Sequence, residues 1–111
     1  MELSVLERLM LLDTLPQEGD ITTIRIVREL REALSFGEEE SARIELRTES
    51  GRTEWKQDAE TPKDVDIGPR ATAVIVGALE ELNKQKKLNE QHIPLFDKFM
   101  GAGVYSPAPH L

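Results

Sequence analysis

Apolar residues recur at helical spacing through most of the chain and at alternating spacing through one short stretch near its middle. Ser4 and Glu7 stand three apart, as in a capping box, where each side chain satisfies the other residue's free amide. Leu6, Leu9, Met10 and Asp13 follow at helical intervals with Leu12 beside them, and the element ends at Leu15-Pro16 because proline pushes the preceding residue out of helical geometry. After a turn at Gly19, either Asp20 or Thr22 caps a second helix, whose buried stripe is Ile24, Val27, Leu30 and Leu34, flanked by Ile21 and Ile26. Arg25 with Glu29 and Arg28 with Glu32 are spaced to pair along its polar side. Ser35 and Glu38 repeat the capping-box spacing and predict a short helix over 38–43, with Phe36 as an apolar anchor in the connection.

The period then drops to two. Ile44, Leu46 and Thr48, and later Thr53 and Trp55, alternate with charged residues about a Ser50-Gly51 turn. With those two residues as the loop, Glu49 faces Arg52 and Leu46 faces Trp55. Residues 57–63 read as a loop, and a third strand over about 64–67 buries Val65 and Ile67, giving the otherwise marginal hairpin a neighbour. Gly68-Pro69 opens the longest helix, over about 69–86, with Ala71, Val74, Ile75, Ala78, Leu79 and Leu82 on one face. Gly77 within it predicts a close packing contact. Asn89 caps a last helix carrying Ile93, Phe96, Phe99 and Met100, and Pro94 either kinks that helix or marks its start.

These elements predict an α+β fold: helices packed on one face of a small antiparallel sheet, formed by a hairpin over about 43–57 and the strand over about 64–67. Residues 1–100 form the single expected domain, and 101–111, rich in small residues and proline, a flexible tail.

Composition narrows the function. The chain has 111 residues, no cysteine and two histidines. Disulfides and thiolate sites are therefore excluded, and His92 has no second histidine or cysteine at ligand spacing. No metal and no cofactor are expected. The serines have helix-start, turn or tail roles, and there is no Gly-x-Ser-x-Gly, Walker loop or Gly-x-Gly-x-x-Gly. Asp64 and Asp66 would share one face of a strand, an arrangement commoner on a wet edge than in a carboxylate dyad. No catalytic residue is assigned, and an enzyme is not expected.

A net charge of −7 argues against nucleic acid and anionic membranes as partners. The absence of an apolar run of membrane length, or of a leader pattern, points to a cytoplasmic protein. Glu38-Glu39-Glu40 suits a helix start, and Lys84, Lys86 and Lys87 suit a helix end. A binding role remains. Val104 and Tyr105 in the tail are the candidate partner contacts, since an extended Gly-Val-Tyr-Ser-Pro segment can add to a sheet edge or dock in a groove.

Two alternatives stay open. A winged-helix-like DNA regulator would use the second helix and the hairpin, although glutamates interrupt the bases in both. An oligomeric protein sequestering a small molecule or nucleotide would use Arg25, Arg28 and Arg47 as anion contacts. A homodimer is compatible with the broad Val74-Ala78-Leu82 face.

The run from Leu11 through Leu12-Asp13-Thr14-Leu15-Pro16-Gln17-Glu18-Gly19 to Asp20, followed by Ile26-Val27-Arg28-Glu29-Leu30, resembles small acidic proteins encoded by bacterial phages and prophages. Lys87-Leu88-Asn89-Glu90 and Leu95-Phe96-Asp97-Lys98-Phe99 are similar to the same group. The resemblance covers about residues 3–100 and carries no catalytic motif. It implies an accessory protein of the infected bacterial cytoplasm that acts by binding a host or phage protein.

Overall fold

The structure is a computed structural model, and it describes residues 1–101. In chain order the elements are β1 (Glu2–Leu3), α1 (Val5–Thr14), α2 (Ile21–Leu34), α3 (Glu38–Arg43), β2 (Arg47–Glu49), β3 (Arg52–Glu54), β4 (Lys63–Asp64), α4 (Pro69–Lys84) and α5 (Ile93–Met100). Short 3-10 turns at Gln57–Ala59 and Glu90–His92 precede β4 and α5. The fold is α+β.

Most helix boundaries have a local cause in the sequence. Glu7 N donates to Ser4 Oγ at 3.1 Å and Ser4 N to Glu7 Oε1 at 2.8 Å, completing the capping box of α1. Thr23 N donates to Asp20 Oδ1 at 2.8 Å, so Asp20 rather than Thr22 caps α2. That bond holds the Asp20 carboxyl below its ordinary value. Pro69 occupies the first turn of α4, and Pro94 that of α5, where a missing amide proton costs nothing. The box expected at Ser35 does not form. Ser35 Oγ instead donates back to Glu32 O at 2.8 Å, and Gly37 starts α3 without a side-chain cap.

α1 packs against α2, α4 and α5, and α4 packs against α2 and α5. Their shared core contains Leu3, Leu11, Leu15, Val27, Leu30, Leu34, Val65, Ile75, Leu79 and Leu95. Two lines of apolar residues run along α1. The core takes the one with Val5 and Leu11, while Leu6, Leu9 and Met10 are only half-buried.

The strands pair differently from the single sheet expected. β2 and β3 form a hairpin with Arg47 opposite Glu54, Thr48 opposite Thr53 and Glu49 opposite Arg52. The last pair is the one anticipated, and the paired residues stop short of Leu46 and Trp55. Ser50 (φ 50°) and Gly51 (φ 78°) both lie in the left-handed region, as the tight turn favoured in hairpins requires. β4 does not extend this hairpin. It pairs antiparallel with β1, Glu2 opposite Asp64 and Leu3 opposite Lys63. The paired hairpin residues are charged or threonine and offer no apolar face for a third strand to cover. Joining β1 to β4, in contrast, carries Leu3 and Val65 into the core. Ile67 is half-buried at its edge.

Arg8 is fully buried, which its sequence neighbours Leu6, Glu7 and Leu9 do not suggest. Its guanidinium donates to Leu34 O at 3.2 Å and Ser35 O at 2.7 Å, the end carbonyls of α2. It forms a two-pronged ion pair with Glu40, in the first turn of α3. The Phe36 ring centroid lies 3.8 Å from the guanidinium carbon. Among the described residues, the other ion pairs join Lys98 to Glu7 and the Met1 ammonium to Asp64; the α2 pairs expected from spacing, Arg25–Glu29 and Arg28–Glu32, are not formed.

The hydrogen bond from Arg8 holds the Glu40 carboxyl below the ordinary glutamate value of 4.5; burial opposes this, and the Arg8 charge adds to it. Because the folded value is depressed, the contribution of Glu40 to stability is complete above pH 4.5 and is lost as pH falls through the folded value. We predict that urea denaturation across pH will show a constant gap between wild type and Glu40→Gln above about pH 5, shrinking at lower pH. A gap unchanged down to pH 3 would remove the ion pair from this account. Arg8→Ala should lose about 3 kcal/mol, the scale for breaking a buried pair.

Gly77, expected to mark a close contact, is exposed, and a Cβ added there meets no atom within 4 Å. Gly77→Ala should therefore stabilise the protein by about 0.5–1 kcal/mol through the lower helix propensity of glycine, read as a rise in urea midpoint; a fall would mean the position is constrained.

Candidate functional site

The half-buried line of α1 faces the hairpin. Between them runs an open groove of about 1050 Å³, with Leu6, Leu9 and Met10 on the helix side and Trp55 on the other. Arg47, Arg52 and Lys56, together with Asp13, Glu45 and Glu54, give it charges of both signs.

Local structure fixes the wall of this groove at its base. The end of α3 is closed by two backbone bonds, Glu45 N to Ala42 O at 3.2 Å and Leu46 N to Ser41 O at 2.9 Å. This helix-ending motif needs a left-handed residue, and Glu45 supplies it at φ 52°. Lys56 N donates to Ile44 O at 2.7 Å and closes the hairpin where it leaves the body. Trp55 is held by Glu60: its Nε1 donates to Glu60 Oε1 at 3.0 Å. The other oxygen of Glu60 accepts from Val5 N at 2.8 Å, on the first residue of α1. One carboxylate thus joins the indole to a helix end that favours negative charge.

Arg47 lies in this groove, but the other two arginines expected to bind anions lie elsewhere. Arg25 lines a depression of about 760 Å³ beside Asp66 and Arg70, where α2 meets the start of α4. Arg28 lines one of about 300 Å³ beside Pro16 and Gln17. The three side chains therefore line three different hollows, two of them on the same helix. Asp64 and Asp66 do not form a pair either, since Asp64 Oδ1 receives the Met1 ammonium at 2.9 Å and Asp66 lies beyond β4. Val104 and Tyr105 lie outside the described residues. Among the described residues there is no group of three or more histidine, cysteine, aspartate or glutamate side chains placed to hold a metal ion.

The sequence places Trp55 in the hairpin and among the core aromatics, whereas it is half-buried at the groove, and Glu60 falls in the 57–63 stretch expected to be a loop. One signal was available. Val5, Leu6, Leu9, Met10, Leu11 and Leu12 occupy more of a helix circumference than one core face needs, so part of the helix had to face a second surface.

Scans against protein-family models, curated proteins and solved structures found no match. Among the described residues, no helix is long and apolar enough to cross a membrane.

Trp55 is the only tryptophan, so its emission reports directly on the groove. Glu60→Ala should shift that emission to the red, raise its quenching by acrylamide and cost about 2 kcal/mol for two bonds to a charged acceptor. Glu60→Gln, which keeps one acceptor oxygen, should fall between. Identical spectra for all three proteins would show that Glu60 does not position the indole.

Proposed function

We propose that this chain is a non-enzymatic accessory protein of the phage type that acts by binding another protein, and that the groove between α1 and the hairpin is its contact surface. The observation that carries this reading is the placement of Trp55. A half-buried indole, tethered by Glu60, stands across an open groove from Leu6, Leu9 and Met10. Protein interfaces draw most of their energy from a few apolar and aromatic anchors inside a polar rim, with tryptophan among the commonest. The rim here carries both signs of charge, which suits a polypeptide better than a phosphate backbone. Arg25, Arg28 and Arg47 line three different hollows, which gives no support to an anion site built from all three. The resemblance to phage and prophage proteins supplies the setting, a host or phage protein as the partner.

The test is affinity capture from nuclease-treated bacterial lysate with wild type, Trp55→Ala and Arg25→Ala. We expect a protein band that Trp55→Ala reduces at least about tenfold, on the scale of an interface hot spot, and that Arg25→Ala leaves unchanged. Circular dichroism of each variant confirms the fold. A partner retained equally by Trp55→Ala would place the contact elsewhere, and recovery of nucleic acid alone would favour the DNA-binding alternative.

A further inference from the structure

Another, smaller pocket lies next to the 3-10 turn Glu90–His92, whose Gln91 lines the groove. It has a volume of about 280 Å³ and is formed where the end of α4 and its following loop meet the start of α5. Leu88, Ile93 and Phe96 supply its apolar lining, and Asn83, His92 and Asp97 its polar groups. Its volume falls at the lower end of the range for ligand sites, suited to a single ring rather than a nucleotide.

His92 is the informative residue. It is only 7% exposed. Its Nδ1 accepts a hydrogen bond from Asn89 N at 3.0 Å, which closes the turn before α5. A neutral imidazole accepting at Nδ1 carries its proton at Nε2. Among the described residues that Nε2–H has no acceptor, an uncommon state for a buried donor. Asp97, one helical turn beyond Ile93, adds a carboxylate to the same pocket, and its side chain receives no hydrogen bond from the described residues.

We propose that this pocket binds a phenolic ring. A phenol hydroxyl can accept from His92 Nε2–H and donate to Asp97 at the same time, while its ring packs on Leu88, Ile93 and Phe96. Other small groups satisfy less of the site. A phenyl ring leaves both polar groups unanswered, an ammonium cannot accept from the imidazole, and a carboxylate is opposed by Asp97. The ring can come from a tyrosine of another polypeptide or from a free small phenol, and the chemistry of recognition is shared.

The test uses the full chain and follows the His92 imidazole and Ile93 methyl signals by NMR during titration with p-cresol, toluene and N-acetyl-tyrosinamide. We expect saturable shifts with p-cresol and at least about fivefold weaker binding of toluene, the value of one hydrogen bond. Asp97→Ala, at an exposed helical position, should weaken p-cresol to between its wild-type binding and that of toluene, since the His92 bond remains, and leave toluene unchanged, which a loss of folding would not do. Binding of N-acetyl-tyrosinamide as tightly as p-cresol would identify a tyrosine side chain as the ligand; p-cresol binding with the amide excluded would identify a free phenol. Toluene binding as tightly as p-cresol, or no saturable shift with any of the three, overturns the proposal.

Discussion

The arrangement of the first three helices depends on a charge placed where no water can reach it. Arg8 is fully buried, and an isolated guanidinium in that position would be prohibitively unfavourable. It is tolerated because three elements present it with negative charge or electron density together. The last carbonyls of a helix lack partners within the helix and carry the negative end of its dipole. Arg8 answers two of them, at Leu34 and Ser35. Glu40 neutralises the cation from the first turn of α3, and the Phe36 ring covers one face. None of these contacts alone would offset the desolvation, so α1, the end of α2 and the start of α3 must be placed as one unit.

The first turn of α1 extends that unit in two further directions. Glu7 Oε1 accepts from Ser4 N and also from Lys98 Nζ at 2.7 Å, tying the cap of α1 to α5. Val5 N donates to Glu60 and so ties the same turn to the base of the hairpin. The acidic balance of the chain therefore has a partly internal explanation. Glu7, Glu40, Glu60, Asp20 and Asp64 each satisfy a helix end or a cation.

Much of this architecture was legible because its causes are local. Ser4 and Glu7, Asp20, Pro69 and Pro94 each act on a residue within a turn of themselves, and the helices begin where those residues say; Asn89, expected to cap the last helix, instead caps the 3-10 turn Glu90–His92 before it. The Ser50-Gly51 turn set the hairpin register for the same reason. What could not be read depends on partners far along the chain. Arg8 occurs in a stretch where an arginine would ordinarily face solvent, and its acceptors lie 26 to 32 residues away. β1 is two residues long and is a strand only because β4 arrives beside it 60 residues later. Gly77 misled for another reason: a glycine within a helix can mark a close approach or nothing at all, and its own sequence neighbours do not distinguish the two. The arginines at 25, 28 and 47 could be listed together, but only the tertiary fold shows that each lines a different hollow.

The groove combines these two kinds of cause. Among the described residues its hairpin has two strands, an arrangement of marginal stability in water, with no third strand beside it. Order must enter from the base, through the left-handed Glu45, the Lys56–Ile44 bond and the Trp55–Glu60–Val5 relay. Among the described residues, the hydrogen bonds towards the Ser50-Gly51 tip are those of the strand pairs and the 3.2 Å hydroxyl contact between Thr48 and Thr53. Regions with few buried apolar contacts open at the lowest free energy. The indole therefore sits at the well-anchored end of the groove, and Arg47 and Arg52 stand on the part of the wall that can adjust. In the proposed binding role, a surface built in this way would fix its apolar anchor before an encounter and leave its charged rim to fit the partner afterwards.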